Sequence, residues 1–197
     1  MINRGAGYVS LTLLTILYVR CNLNRIIVTL SIPLIFTLSC EVFAGDEAAL
    51  HACQTVVAKK FTQWRFAPLT DEVAEYAKSQ HTNPTITYGD FDGDGRKDVA
   101  LLIQHGANPD PQYLGRGNSL HIAVCLNTTK GFRLYLIDNP YCGDGIATSP
   151  KGGRYYDYNT DKKGTYTHDG VAAYCFEKAG ATYQFQNGAF HEIVDSD

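Results

Sequence analysis

The chain lacks a basic excess. Its 17 lysines and arginines face 20 aspartates and glutamates, a formal charge of −3 with histidine neutral. A protein that grips a phosphate backbone wants a basic face, so this balance argues against nucleic acid. Catalytic signatures are missing as well: there is no Gly-x-Ser-x-Gly elbow and no His-Glu-x-x-His zinc motif. Beyond residue 44 the serines are Ser79, Ser119, Ser149 and Ser196, none in a nucleophile context. His51 falls on the polar side of an expected helix, and His121 and His191 fall within expected strands. A solvent-facing or hydrogen-bonded histidine is the commoner outcome there. The expectation is a protein without catalysis. The competing class is a periplasmic hydrolase whose site is spread over loops, which a cleft gathering His121 or His191 with an Asp and a Ser would favour.

Acidic residues are absent before Glu41, whereas Arg4, Arg20 and Arg25 are present. No apolar run there is long enough to span a bilayer comfortably; the two candidates are Tyr8–Val19 and Ile26–Leu38. The second has basic residues before it and Val42-Phe43-Ala44 after it, the small-residue pattern of a signal-peptide cleavage site. Residues 1–44 are therefore expected to be a signal peptide, its start over-extended upstream, cut between Ala44 and Gly45. A retained membrane anchor and a lipoprotein cysteine at Cys40 are the alternatives. Removal of this segment takes away three arginines and one glutamate, which moves the net charge to −5. Residues 45–197 are one domain by size, with no stable membrane span. Cys53, Cys125, Cys142 and Cys175 remain, an even number behind a signal peptide. That points to two disulfides in a periplasmic or secreted protein, with three pairings open. A zinc site would need closely spaced ligand pairs, and no two of these cysteines are close.

The most informative stretch is Asp90-Phe91-Asp92-Gly93-Asp94-Gly95-Arg96-Lys97-Asp98. Carboxylates at loop positions 1, 3, 5 and 9 converge when the chain curls back on itself, and the carbonyl of Arg96 at position 7 joins them. Gly93 and Gly95 permit the backbone angles of such a curl. Calcium, a hard cation that takes oxygen ligands, suits the set; the alternative is an acidic turn that binds nothing. An EF-hand would need Glu at position 12, where Leu101 stands.

The segment Gly89 to Leu102, GDFDGDGRKDVALL, resembles the FG-GAP/VCBS repeat family, whose blades carry Asp-x-Asp-Gly-Asp-Gly-x-x-Asp. The resemblance implies one Ca2+ ion held by Asp90, Asp92, Asp94, the Arg96 carbonyl and Asp98. That family repeats its motif to build a propeller, and a blade needs about 40 residues or more. This chain holds one copy: Gly143-Asp144-Gly145 and His168-Asp169-Gly170 lack the other carboxylates. What remains resembles small secreted bacterial proteins with one such loop in a β meander.

Leu50, Cys53, Val57, Phe61 and Trp64 recur at helical spacing, which predicts a helix from Glu47 to Trp64 with Asp46 as N-cap. A second helix runs from Thr70 to Lys78, with Leu69 and Val73 packed inward. The rest reads as strands: Thr85–Tyr88, Asp98–His105, Ser119–Leu126, Phe132–Ile137, Arg154–Tyr158, Val171–Glu177, Ala181–Gln186 and Ala189–Val194. Along the third, Leu120, Ile122, Val124 and Leu126 share one face and His121, Ala123 and Cys125 the other. Asn187-Gly188 predicts a two-residue type I′ hairpin. The expected fold is α+β, two N-terminal helices packed on an antiparallel β meander that resembles part of a propeller blade. Tyr155, Tyr156, Tyr158 and Tyr166 cluster in a Gly-, Lys- and Asp-rich stretch and read either as a binding surface or as sheet packing. The expected function is an exported, calcium-stabilised module that binds another protein, an inhibitor or immunity protein of the cell envelope.

Overall fold

A computed structural model of the chain describes residues 41–105, 120–140, 142–176 and 178–196. Residues 1–40 of the expected signal peptide, Cys40 among them, lie outside these, as do residues 106–119, Ser119 at the start of an expected strand included.

Helix α1 (Glu41–Lys60) buries Cys53 and Val57, with Phe61 just beyond its end, so the apolar stripe faces inward as expected. Both of its limits differ from the sequence reading. It starts before Asp46, which is therefore no N-cap; the Asp46 carboxylate instead meets Lys97 Nζ at 2.6 Å. It also ends four residues before Trp64, which opens strand β1 (Trp64–Phe66). Trp64 and Phe66 lie opposite His105 and Ile103 of a neighbouring strand, and that pairing overrides the helical spacing. Helix α2 (Asp71–Gln80) is capped by Thr70, whose hydroxyl accepts from Val73 N at 3.3 Å, and buries Val73 and Ala77.

Strands β2 (Ile86–Gly89), β3 (Asp98–His105), β4 (Leu120–Thr128) and β5 (Gly131–Asp138) follow. β3 pairs with β4 and β4 with β5, all antiparallel, while β1 and β2 lie end to end along the other edge of β3. After β6 (Gly145–Ser149) comes a separate ribbon of β7 (Arg154–Asp157) and β8 (Lys162–Thr165). β9 (Gly170–Cys175), β10 (Ala179–Gln186) and β11 (Ala189–Ser196) then join β6 in an antiparallel sheet of order β11-β10-β9-β6. The class is α+β with two helices and antiparallel sheets, but a strand separates the helices and the expected single meander is two sheets and a ribbon. β6 and β8 were illegible because each carries a glycine opposite a tyrosine. Gly145 faces Tyr174 and Gly164 faces Tyr155, and the tyrosine ring lies where a Cβ would stand. A residue without a side chain adds nothing to an alternating pattern.

The first sheet has two apolar faces. Ala100 and Leu102 of β3, with Ile122, Val124 and Leu126 of β4, join Val171, Ala173, Ala181 and Tyr183 of the second sheet in one core. Val99, Leu101, Ile103, Ala123 and Cys125 pack on the other side with Cys53, Val57 and Phe61 of the α1 segment. The layers are helix, sheet and sheet, with β3 buried on both faces. The β4 faces divide as the alternation predicts. The hairpin between β10 and β11 also agrees: Asn187 and Gly188 both have positive φ, 52° and 87°. Two disulfides resolve the three open pairings, Cys53–Cys125 and Cys142–Cys175. The first ties α1 to β4.

Candidate metal centre

The loop between β2 and β3 curls because Gly93 and Gly95 take φ of 78° and 84°, where a Cβ is disfavoured. Its side chains then serve its own backbone. Asp90 Oδ2 accepts from Gly95 N at 3.0 Å, Asp92 Oδ1 from Asp94 N at 3.2 Å and Asp94 Oδ1 from Arg96 N at 2.9 Å. The curl brings one carboxylate oxygen each from Asp90, Asp92 and Asp98 within 4.8 Å of one another. Asp94 is not in this group, since its second oxygen meets the Arg96 guanidinium. Arg96 in turn donates from Nε to Asn127 O at 2.5 Å.

Asp98 is the innermost member, with no exposed surface. Its two oxygens accept from Phe91 N at 2.8 Å and from Asn127 N at 2.7 Å, which joins the loop to β4. Burial pushes its carboxyl up to about 7; the two backbone N–H groups oppose the rise, and Asp92 and Asp94 add to it. Burial also raises the carboxyl of Asp92, and the charges of Asp94 and Asp90 push the same way. Asp90 carries a further anomaly. Its Oδ1 is buried and has no hydrogen-bond partner among the described residues, a costly condition for a carboxylate oxygen. Three carboxylates, two of them with raised pKa values and one with an orphaned oxygen, form an all-oxygen donor set of the kind hard divalent cations take.

A second segment braces the loop. Asp90 N donates to Asp169 Oδ2 at 3.0 Å, Asp169 N donates back to Asp90 O at 3.2 Å, and Lys151 N donates to Asp169 Oδ1 at 2.9 Å. His168 stands over Gly93, where a Cβ would come within 3.3 Å of its own Cβ. Its Nε2 is likewise buried with no hydrogen-bond partner among the described residues. The sequence reading missed Asp169 and Asn127 as supports. His168-Asp169-Gly170 was visible there only as a motif copy lacking carboxylates; what it supplies is one carboxylate across the fold.

The four tyrosines divide into two pairs. Tyr155 stacks on Tyr166 at 4.9 Å between ring centres, and the buried Tyr166 donates its hydroxyl to Asp195. Burial, then this hydrogen bond, raise the Tyr166 pKa far above its ordinary value. Tyr156 and Tyr158 meet edge to face at 4.9 Å, Tyr156 donates to Asp161, and Tyr158 is exposed. The first pair is sheet packing and the second faces outward. Among the histidines, exposed His51 lies beside Thr55, and His121 pairs through Nδ1 with Asp138 at 2.7 Å and stacks on Phe61. His191 lies within 3.2 Å of the Gln186 carbonyl. Ser149 shares a hydrogen bond with Thr182, and Ser79 donates to Tyr76 O. Among the described residues no histidine hydrogen-bonds a serine.

Comparison with known proteins finds no family model, no curated relative and no solved structure that matches this chain.

Proposed function

We propose that this protein is an exported, calcium-stabilised binding module without catalysis, in which one ion pins the β2–β3 loop. The observation that carries the reading is the buried, unpartnered Asp90 Oδ1 inside a loop where three carboxylates converge. Asp90, Asp92 and Asp98 are the core of the proposed ligand set, with the Arg96 carbonyl and Asp94 completing it. The set contains no nitrogen or sulfur, which favours a hard cation over zinc. Calcium tolerates irregular oxygen shells, whereas magnesium insists on a tight octahedron and keeps its waters. The charge of the ion would offset the repulsion among the carboxylates, and the protein's own hydrogen bonds spread that restraint to β4 through Asn127 and to Asp169 beyond it. The likeness to an FG-GAP/VCBS loop, and the reading of β6, β9, β10 and β11 as blade-like, belong to the same proposal. Two disulfides suit an oxidising compartment, and a role as inhibitor or immunity protein of the cell envelope is the form of binding proposed.

Calorimetric titration of chelator-treated protein tests the metal. One calcium per molecule should bind, with weak heat from magnesium. At calcium about 100-fold above its Kd the melting temperature should rise by the equivalent of about 2.7 kcal/mol. Asp92→Ala should abolish both effects. A protein that gives no heat and no calcium-dependent melting shift has an ordinary acidic turn at this place.

A further inference from the structure

The β7–β8 ribbon reverses the charge of the chain around it. Lys151 before it, Arg154 on β7 and Lys162 and Lys163 on β8 are all exposed, and none of the four side chains has an ion-pair partner among the described residues. Residues 151–165 hold these four cations against two acids, Asp157 and Asp161, a local net charge of +2. Asp157 is buried and accepts from Asn159 N and the Thr160 hydroxyl, Asp161 accepts from Tyr156, and Asp169 holds two backbone N–H groups. In a chain of net charge −3 this is a cationic patch.

β8 pairs with β7 on one side, and no strand lies on its other edge among the described residues. Register places Tyr156 opposite Lys163 and Arg154 opposite Thr165, so these four share one face, while Tyr155, Asp157, Gly164 and Lys162 share the other, with Asp157 opposite Lys162. The ribbon is held in place. Tyr166 is buried against Asp195, Tyr158 N donates to Val194 O at 2.9 Å, and Lys151 N is held by Asp169.

We propose that the free edge of β8 docks an acidic, extended segment of a partner protein as a third strand. This rests on the binding-module reading and names its surface and partner chemistry. Lysines on an edge strand ordinarily guard it against stray pairing. Against an acidic strand the same lysines attract, so the guard becomes a filter. Side chains of an added strand alternate between faces, so acids spaced two apart would line the face of Lys163, with Arg154 behind Thr165 on the same face. Backbone hydrogen bonds supply affinity in this mode and the exposed Tyr158 ring an apolar contact. A ribbon already held in place loses little conformational freedom on docking. An anionic polysaccharide would use the cations and leave the strand edge idle.

The test titrates the oxidised, calcium-loaded protein with a labelled peptide of alternating Glu and Thr, its Lys–Thr counterpart and dextran sulfate. Anisotropy reports binding and backbone amide shifts report place. The Glu–Thr peptide should bind and shift the amides of residues 162–165, and the Lys–Thr peptide should not bind. Lys162→Glu with Lys163→Glu should weaken the Glu–Thr peptide by about tenfold or more, the scale of lost charge pairs at an interface. That variant should melt and titrate calcium like the wild type, since neither lysine touches the Asp90 loop, so failures of docking and of the metal reading separate. Absence of peptide binding, or equal binding by the double variant, overturns the proposal. Dextran sulfate binding without a response to the peptide assigns the patch to polyanions and overturns it too.

Discussion

Asp98 shows how one buried carboxylate couples the fold to pH. In the folded chain its pKa rises from 3.8 to about 7, so the metal-free fold holds this proton more tightly than the unfolded chain does. The fold then binds more protons than the unfolded state between those values, and linkage makes stability fall as pH rises through that window. The proposed calcium ion would compete for the same oxygens, so its affinity should weaken as pH drops below about 7. Melting of chelated protein should therefore decline from about pH 4 to about pH 7, and saturating calcium should remove or reverse the decline. Asp98→Asn, which cannot ionise, should flatten the metal-free profile. An unchanged slope in that variant would place the titration elsewhere.

At the scale of elements, the glycine–tyrosine pairs are a device repeated in both the second sheet and the ribbon. Gly145→Ala would drive a methyl group into the Tyr174 ring, and overpacking of this kind costs roughly 1–3 kcal/mol. Adding Tyr174→Leu should recover part of that loss, a coupling that a double-mutant cycle in denaturant melts measures. Additive costs would mean that the ring moves aside freely. The same pairs mark the limit of what the sequence discloses. β3 and β4 were legible because Val99 to Ile103 and Leu120 to Leu126 write their faces in side chains. α2 was legible from Thr70 onward, through its cap. β6 and β8 were not, because their decisive residues are glycines whose meaning is the ring opposite. β1 was hidden by Trp64, which continues the helical spacing of α1 while its backbone pairs with β3. In the loop, the spacing pointed to Asp90, Asp92, Asp94 and Asp98 as convergent, and of these Asp90, Asp92 and Asp98 bring an oxygen within 4.8 Å of one another. It was silent on Asp169, whose contribution exists only once the 169 segment has folded back across the loop.

At the scale of the whole molecule, stability is distributed over several kinds of restraint: a two-faced first sheet, covalent links and the proposed ion. Full burial of Leu101, Leu102 and Ile103 on alternating faces of β3 makes that strand the common wall of both apolar cores. The Cys53–Cys125 and Cys142–Cys175 bonds join residues 72 and 33 positions apart. On a chain-entropy basis each contributes roughly 4 kcal/mol.

The order of those pairings has a further consequence. Of the four cysteines beyond residue 44, the first bonds to the second and the third to the fourth, so neither loop encloses or crosses the other. A polypeptide that emerges from its N-terminus can close the first bond, with α1 and β4 in hand, before Cys142 appears. The second bond then closes wholly within the later half. Synthesis in that order favours the native pairs, whereas in the reduced full-length chain Cys125 lies closer to Cys142 than to Cys53, so refolding in a simple thiol–disulfide buffer should pass through a Cys125–Cys142 bridge. Mass mapping of quenched refolding samples checks this: native pairs from the earliest samples, with no Cys125–Cys142 population, would show that folding joins the distant cysteines before the shorter loop can close.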